Sequence, residues 1–175
     1  MSTDNLRERT EQKLRFARLH LRELSEVATD HGSDFERAHQ EAFLAQLFGA
    51  YNAFLVELNY HLNCGLEKDD ITLGKMRNAV KRQNKQSPTL SALYDLLREE
   101  TSWFKQAKDM RDYSTHVSGI PLCFYANRIN GDKLYLKCPR TRKELPDDFV
   151  KTFNTWLLEM ERLIEQKRVS AIREG

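Results

Sequence analysis

Apolar residues recur every three or four positions through most of this chain, and few residues would interrupt a helix. In the first such stretch, Leu14, Ala17, Leu21 and Leu24 fall on one helical face. The 175 residues include only four prolines and seven glycines, so the helices that this spacing predicts can be long. The pattern therefore predicts a mainly α-helical fold.

Short polar segments divide this pattern into five predicted helices. Ser33 and Glu36 form a capping box at the start of the second helix, which is apolar over most of its girth and is expected at the centre of the fold. The fourth helix is expected to run without a break as far as His116. The predicted helix starts lie at Thr3 or Asp4, at Ser33, at about Thr72, at Ser87 with Pro88 in the first turn, and at Pro146.

The period changes between the fourth and the last helix. The stretch LCFYANRINGDKLYLKC is rich in aromatic and branched aliphatic residues, and its Asn130-Gly131 pair is a strong hairpin signal, which predicts a β-hairpin at about 121–138. A two-residue loop there would place Cys123 opposite Cys138 at a hydrogen-bonded pair, where the side chains are too far apart to favour a disulfide. We therefore expect one domain, residues 1–175, formed by an antiparallel bundle of about five helices with one β-hairpin before the last helix.

Several classes of protein are excluded by the sequence. It has neither a signal peptide nor an uninterrupted apolar run, so a cytoplasmic protein without a membrane partner is expected. Three cysteines do not form a disulfide framework, and free thiols are expected. Glu36-Arg-Ala-His39 is only half of a di-iron pattern, and the cysteines lack zinc-finger spacing. Nucleotide-binding loops and catalytic elbows are absent as well, so no metal or cofactor is predicted.

Two groups of basic residues are candidates for contact with a nucleic-acid backbone. The first follows one side of the third helix, and the second follows the hairpin. Lysine and arginine bind phosphates and release their counterions, but both groups also fit an ordinary solvated surface. The candidate nucleic-acid-binding residues are Lys75, Lys81, Arg82, Arg140 and Arg142.

The segment RDYSTH, residues 111–116, contains the candidate catalytic residues Arg111, Asp112 and His116. An arginine that binds a phosphate oxygen and a histidine that titrates near neutral pH suffice for metal-independent RNA cleavage, in which the 2′-hydroxyl attacks its own phosphate. Asp112 would orient one of them. A structural interpretation fits equally: Arg111 pairs with an acid such as Asp112 or Glu100, and His116 lies near the last helical carbonyls.

KDMRDYSTHVSG, followed by a short β element and an amphipathic last helix, resembles the HEPN superfamily of bacterial helical bundles. The mark of that superfamily is an arginine, four to six residues that begin with a polar one, and a histidine, which correspond to Arg111, Asp112 and His116. The resemblance implies a symmetric dimer that brings two such pairs together, and often an endoribonuclease, although many members are binding modules. The whole chain also resembles a group of proteobacterial proteins for which no mechanism is implied.

Helix geometry limits the catalytic interpretation. Positions 111 and 116 lie about 140° apart around a straight helix, so the helix must bend or end near Ser114 and Thr115, or a second subunit must complete the site. The sequence leaves two main hypotheses. In the first, a dimeric HEPN-like bundle binds RNA or another polyanion and, if it is an enzyme, acts as a metal-independent endoribonuclease. In the second, a non-catalytic bundle binds a protein partner or itself. A small-molecule pocket would be a third use of such a fold.

Overall fold

The computed structural model describes residues 3–26, 33–116, 120, 122–125, 133–140 and 142–175. This part of the chain forms six α-helices and a three-stranded antiparallel sheet. A single 3₁₀ turn, Lys68–Asp70, precedes the third helix. The elements are α1 (Thr3–Glu26), α2 (Asp34–His61), α3 (Leu73–Arg82), α4 (Pro88–Arg98), α5 (Trp103–His116), β1 (Leu122–Tyr125), β2 (Lys133–Lys137), β3 (Glu144–Asp148) and α6 (Phe149–Glu174).

The predicted fold class is confirmed: the chain is mainly α-helical, with a β-hairpin before the last helix. Helix α2 is central, because it packs against α1, α5 and α6 and buries side chains around most of its circumference. Phe43 of α2 stacks on Phe153 of α6, with ring centroids 4.5 Å apart and nearly parallel planes. Within the described residues, no helix has the length and apolar character needed to span a membrane.

Side chains cap three helices at the residues that the sequence indicated. The hydroxyl oxygen of Ser33 accepts a hydrogen bond from the backbone N–H of Glu36 at 3.2 Å. Thr72 at α3 and Ser87 at α4 each bind the N–H three residues onward, at 3.3 Å and 3.2 Å. Each cap satisfies one of the N–H groups that the first turn of a helix leaves without a partner.

The fourth predicted helix is two helices, α4 and α5, so the prediction of an unbroken helix to His116 was wrong. Glu99 is extended, with φ of −70° and ψ of 107°. The hydroxyl of Ser102 donates to the carbonyl of Leu96 at 2.7 Å and accepts from the N–H of Lys105 at 3.1 Å. One hydroxyl therefore provides a hydrogen-bond partner for a carbonyl group at the end of α4 and for an N–H group at the start of α5. These two bonds stabilise the break although it contains neither glycine nor proline.

The register of the hairpin differs from the prediction. Cys123 pairs with Tyr135, and Tyr125 pairs with Lys133, so Cys123 does not lie opposite Cys138. The pairing of Tyr125 with Lys133 is symmetric about position 129. A hairpin with Asn130-Gly131 as its two-residue loop would instead be symmetric about the midpoint between positions 130 and 131. Asn130 and Gly131 themselves lie outside the described residues. Neither Cys64 nor Cys138 forms a disulfide.

A third strand, β3, pairs with β2 beyond the predicted hairpin, and its register contains an irregularity between Tyr135 and Lys137. Pro146 lies in β3 rather than in the first turn of α6, so the predicted start of the last helix was wrong. An edge strand tolerates proline because one of its sides needs no ladder hydrogen bonds. The cap of α6 is Asp148, whose carboxylate accepts from the N–H of Lys151 at 2.9 Å.

A buried ion pair joins α2 to α6. Arg168 and Glu57 are 5% and 1% exposed, and the guanidinium binds both carboxylate oxygens, at 2.9 Å and 3.3 Å. Thr10 of α1 donates its hydroxyl to the same carboxylate. Arg168 also contacts Glu11 at 3.1 Å and Glu165 at 3.2 Å, closer to solvent. The cluster therefore fixes the positions of three helices and leaves neither buried charge without a partner.

We expect the substitution Arg168→Met to lower the free energy of unfolding by about 3 to 5 kcal/mol, because Glu57 would remain buried without a counter-charge. Urea unfolding followed by circular dichroism measures this change. The matched control is Arg162→Met, since Arg162 is exposed on the same helix and pairs with Glu159; it should change the value by less than about 0.5 kcal/mol. Similar decreases in the free energy of unfolding of both variants would show that the buried pair contributes no more to stability than the exposed one does.

Candidate functional site

Arg111 lies in α5 with its guanidinium between α2 and solvent. The guanidinium carbon is 5.0 Å from the centroid of the Phe48 ring, within the range of a cation–π contact. Its Nη2 lies 2.7 Å from a carboxylate oxygen of Asp112, and about a third of the side chain is exposed. The Nε is buried and has no hydrogen-bond partner among the described residues. Arg111 is thus held mainly by an aromatic face and by one adjacent acid.

Asp112 is shared by two cations. Besides Arg111, Lys108 donates to its second carboxylate oxygen from one turn earlier in α5. The local charge of Asp112 is therefore already balanced. The arrangement agrees with the predicted role of Asp112 in orienting Arg111, and it equally forms a structural pair.

The structure does not bring Arg111 and His116 to one face of the helix. Helix α5 continues through His116, and the hydroxyls of Ser114 and Thr115 donate to the carbonyl of Arg111 at 2.9 Å, as they do inside a regular helix. Positions 111 and 116 of a regular helix lie about 140° apart. The side chain of His116 is outside the described part of the structure.

The arginines of the second basic group are exposed, and each contacts a residue of α5. Arg140 binds the carboxylate of Glu100 and lies 3.8 Å from that of Asp109. Those two acids raise the pKa of Arg140, the hydrogen bond to Glu100 being the larger cause. Arg142 lies over the ring of Tyr113, 5.6 Å from its centroid. Arg140 thus already has acidic partners and is less available to a phosphate than the sequence suggested, whereas the contact of Arg142 with an aromatic ring leaves its N–H groups able to bind an oxygen acceptor.

The first basic group surrounds α3, and its members differ in their surroundings. Lys75 lies 2.5 Å from Asp70, an acid in the preceding 3₁₀ turn. Arg82 is exposed and donates its Nε to the carbonyl of Asn78 at 3.4 Å. Lys81 is exposed and forms no ion pair within the described residues. Of the three predicted residues, Lys81 therefore has the charge that is most available to a ligand.

Lys81 also lines a groove between α3 and α4 with a volume of about 600 Å³. Arg77 and Lys85 lie on the same groove, and among the described residues no aspartate or glutamate lines it. The remaining lining combines polar residues such as Ser91 with apolar ones such as Val80 and Leu90, and Tyr94 lies at one side. We call this the α3–α4 groove. Its surface bears positive charge on three side chains.

Tyr94 contacts two arginines, of which Arg77 lines the groove. The guanidinium carbon of Arg77 lies 3.7 Å from the ring centroid of Tyr94, and that of Arg98 lies 5.5 Å away. A guanidinium that stacks on an aromatic ring keeps its N–H groups at the edge free to bind an oxygen acceptor. Tyr94 therefore holds Arg77 in place.

The N-terminus of α4, next to the groove, already binds a carboxylate of this chain. Glu174 of α6 accepts from the backbone N–H of Thr89 at 3.0 Å and from its hydroxyl at 2.6 Å. The Ser87 hydroxyl donates to the other oxygen of the same carboxylate at 2.5 Å. An anion in the groove would consequently rely on Arg77, Lys81 and Lys85 rather than on the helix end.

The sequence indicated the basic side of α3 but not the groove. Tyr94 and Arg98 have the four-residue spacing of helical neighbours, which could have identified that contact. The contact of Arg77 with Tyr94 crosses from one helix to the next, and no local pattern predicts it.

Replacing Tyr94 by leucine should weaken the packing of α3 on α4, because Arg77 of α3 loses its aromatic partner; Arg98 loses a contact within α4 as well. We expect a decrease of about 0.5 to 2 kcal/mol in the free energy of unfolding, measured by urea titration. Tyr60→Leu is the control, because Tyr60 is 53% exposed. A Tyr94→Leu protein as stable as the wild type would contradict this role for the ring.

Residues 1–119 match the sequence profile of a family of unknown function, DUF6586. The matched region includes α1 to α5 and thus the α3–α4 groove, Arg111 and His116. No significant match was found among the curated proteins or the solved structures. Because the match covers 119 of the 175 residues, this chain belongs to the DUF6586 family.

Proposed function

We propose that this chain is a HEPN-like helical bundle that binds RNA or another polyanion, and that the α3–α4 groove holds the phosphates. One observation carries the proposal: the groove is lined by Arg77, Lys81 and Lys85 and by no acid in the part of the chain that the structure describes. Three cations that face the same space attract a phosphate chain and release its counterions when it binds. The mild net charge of +2 is consistent with a local rather than a general basic surface.

The contacts at the groove favour recognition of phosphates over recognition of bases. Tyr94 is approached by two guanidiniums, so its ring is less open to a stacked base than an exposed aromatic residue would be. Lysine and arginine contact the nucleic-acid backbone without reading its sequence. We therefore expect binding with little preference for base sequence.

A salt titration of RNA binding tests the proposal. The logarithm of the association constant for single-stranded RNA should fall linearly with the logarithm of the salt concentration. In the double variant Lys81→Ala/Lys85→Ala, the slope should become shallower by about 1.4, since each phosphate contact contributes about 0.7. Fluorescence anisotropy with a labelled oligonucleotide measures both values.

The matched control is Arg7→Ala/Arg9→Ala, which removes the same charge from an exposed part of α1, and α1 packs mainly against α2 and α6. Its slope should equal that of the wild type. A wild-type affinity that does not depend on salt, or an equal effect of both double variants, would exclude the groove as the binding surface.

The sharper form of the proposal is metal-independent RNA cleavage by a homodimer in the bacterial cytoplasm. In that reaction the 2′-hydroxyl attacks the adjacent phosphorus and the bond to the 5′-oxygen breaks, which leaves a cyclic phosphate and a 5′-hydroxyl. His116 would move the proton and Arg111 would stabilise the charged phosphate oxygens. Because the two residues lie about 140° apart on α5, we infer that a second subunit must bring an Arg111 to each His116.

Cleavage of a generic RNA in the presence of a chelator tests this form. If His116 transfers the proton, His116→Ala should lower the cleavage rate by about 10² to 10⁴-fold, while RNA binding is retained. His61→Ala, at the end of α2, is the control and should cleave as the wild type does. Equal residual cleavage in the two variants would reject His116 as a catalytic residue.

The second candidate function is protein–protein interaction. Its support is a group of large apolar side chains exposed near the α1–α2 connection: Phe16 is 40% exposed, Leu19 44% and Phe35 48%. Such residues, when they cluster, often mark contact surfaces. The salt titration separates the two functions, because a largely apolar interface lacks the steep salt dependence of counterion release.

A further inference from the structure

Two histidines face each other across the α1–α2 interface, away from the α3–α4 groove. The Nδ1 atoms of His20 and His39 are 3.3 Å apart, and both side chains are half-buried. The ring of His39 also packs on Phe35, with centroids 4.2 Å apart. The two imidazoles are thus held by separate helices with the same ring nitrogen directed at the other.

The separation of the two nitrogens fits a shared metal ion. Zinc bonds to imidazole nitrogen at about 2.0 to 2.1 Å in a tetrahedral arrangement, which places two ligand nitrogens about 3.3 to 3.4 Å apart. The same distance also suits a hydrogen bond from the N–H of one ring to the lone pair of the other. We propose that Nδ1 of His20 and Nδ1 of His39 chelate one zinc ion and that water completes the coordination.

The antiparallel register of α1 and α2 places one glutamate of each helix a turn away from the two histidines. Lys13 binds Gln46 at 3.0 Å, and the same pairing that places His20 beside His39 places Glu23 opposite Glu36. Glu23 follows His20 by one helical turn, and Glu36 precedes His39 by one turn. A carboxylate is a usual third zinc ligand, and Glu23 is the more exposed of the two.

The described residues contain no group of three or more histidine, cysteine, aspartate or glutamate side chains already arranged around one point. The site therefore has two fixed nitrogens and open positions, like a site that exchanges its metal rather than a closed structural one.

Isothermal titration of the full chain with zinc alone tests the proposal. We expect one zinc per chain, and an affinity reduced by about tenfold or more in His20→Gln and in His39→Gln, because even the loss of an outer partner of a ligand costs about 10 to 100-fold. His61→Gln is the control, since His61 contacts Tyr60 at the far end of α2. Unchanged binding in both His20→Gln and His39→Gln, or equal loss in the control, would overturn the assignment.

A second measurement needs no variant. Copper(II) binds nitrogen ligands more tightly than zinc does, and its electron paramagnetic resonance spectrum reports the number of bound nitrogens. The wild-type chain with one equivalent of copper should show two imidazole nitrogens. A spectrum with one nitrogen, or only the signal of hydrated copper, would overturn the chelate even if a variant failed to fold.

Discussion

The pairing of Arg168 with Glu57 is the constraint on which the helical arrangement depends. Both charges are almost fully buried, and each would be costly if the other were displaced. Two hydrogen bonds from Arg168 to the Glu57 carboxylate fix the rotation of α6 and its position along α2. The hydroxyl of Thr10 donates to the same carboxylate and thereby connects α1 to the pair. Apolar contacts such as Phe43 on Phe153 supply most of the attraction, but they tolerate sliding more readily than a paired charge does.

The parts of the fold that sequence could predict are those determined by neighbouring residues. Helical spacing identified the long helices, and short polar side chains at Ser33 and Thr72 identified their starts, because a cap acts over three residues. The break at Ser102 was missed because it lacks the glycine or proline that usually marks one. Strand β3 was missed because Pro146 and the acids after it are typical of a helix start, and only pairing with β2 decides otherwise.

The candidate site was predictable to a smaller extent. The basic side of α3 could be read from the order of its residues, but its groove depends on α4, and the contact of Arg77 with Tyr94 joins positions whose relation is set by tertiary packing. The Arg111–Asp112 pair was foreseeable because the two residues are adjacent. The facing of His20 and His39 was not, since nineteen positions separate them and their register depends on how α1 turns back into α2.

The ion pair also has a consequence for the order of folding during synthesis. Glu57 leaves the ribosome long before Arg168, from which it is separated by 111 positions. Closing so long a loop has an entropic cost, and contacts of this range slow the formation of a native core. Helices α1 and α5 can cover much of the apolar surface of α2 before α6 emerges, but Glu57 has no buried counter-charge until then. The interior around Glu57 can therefore take its final arrangement only after the last helix has been synthesised.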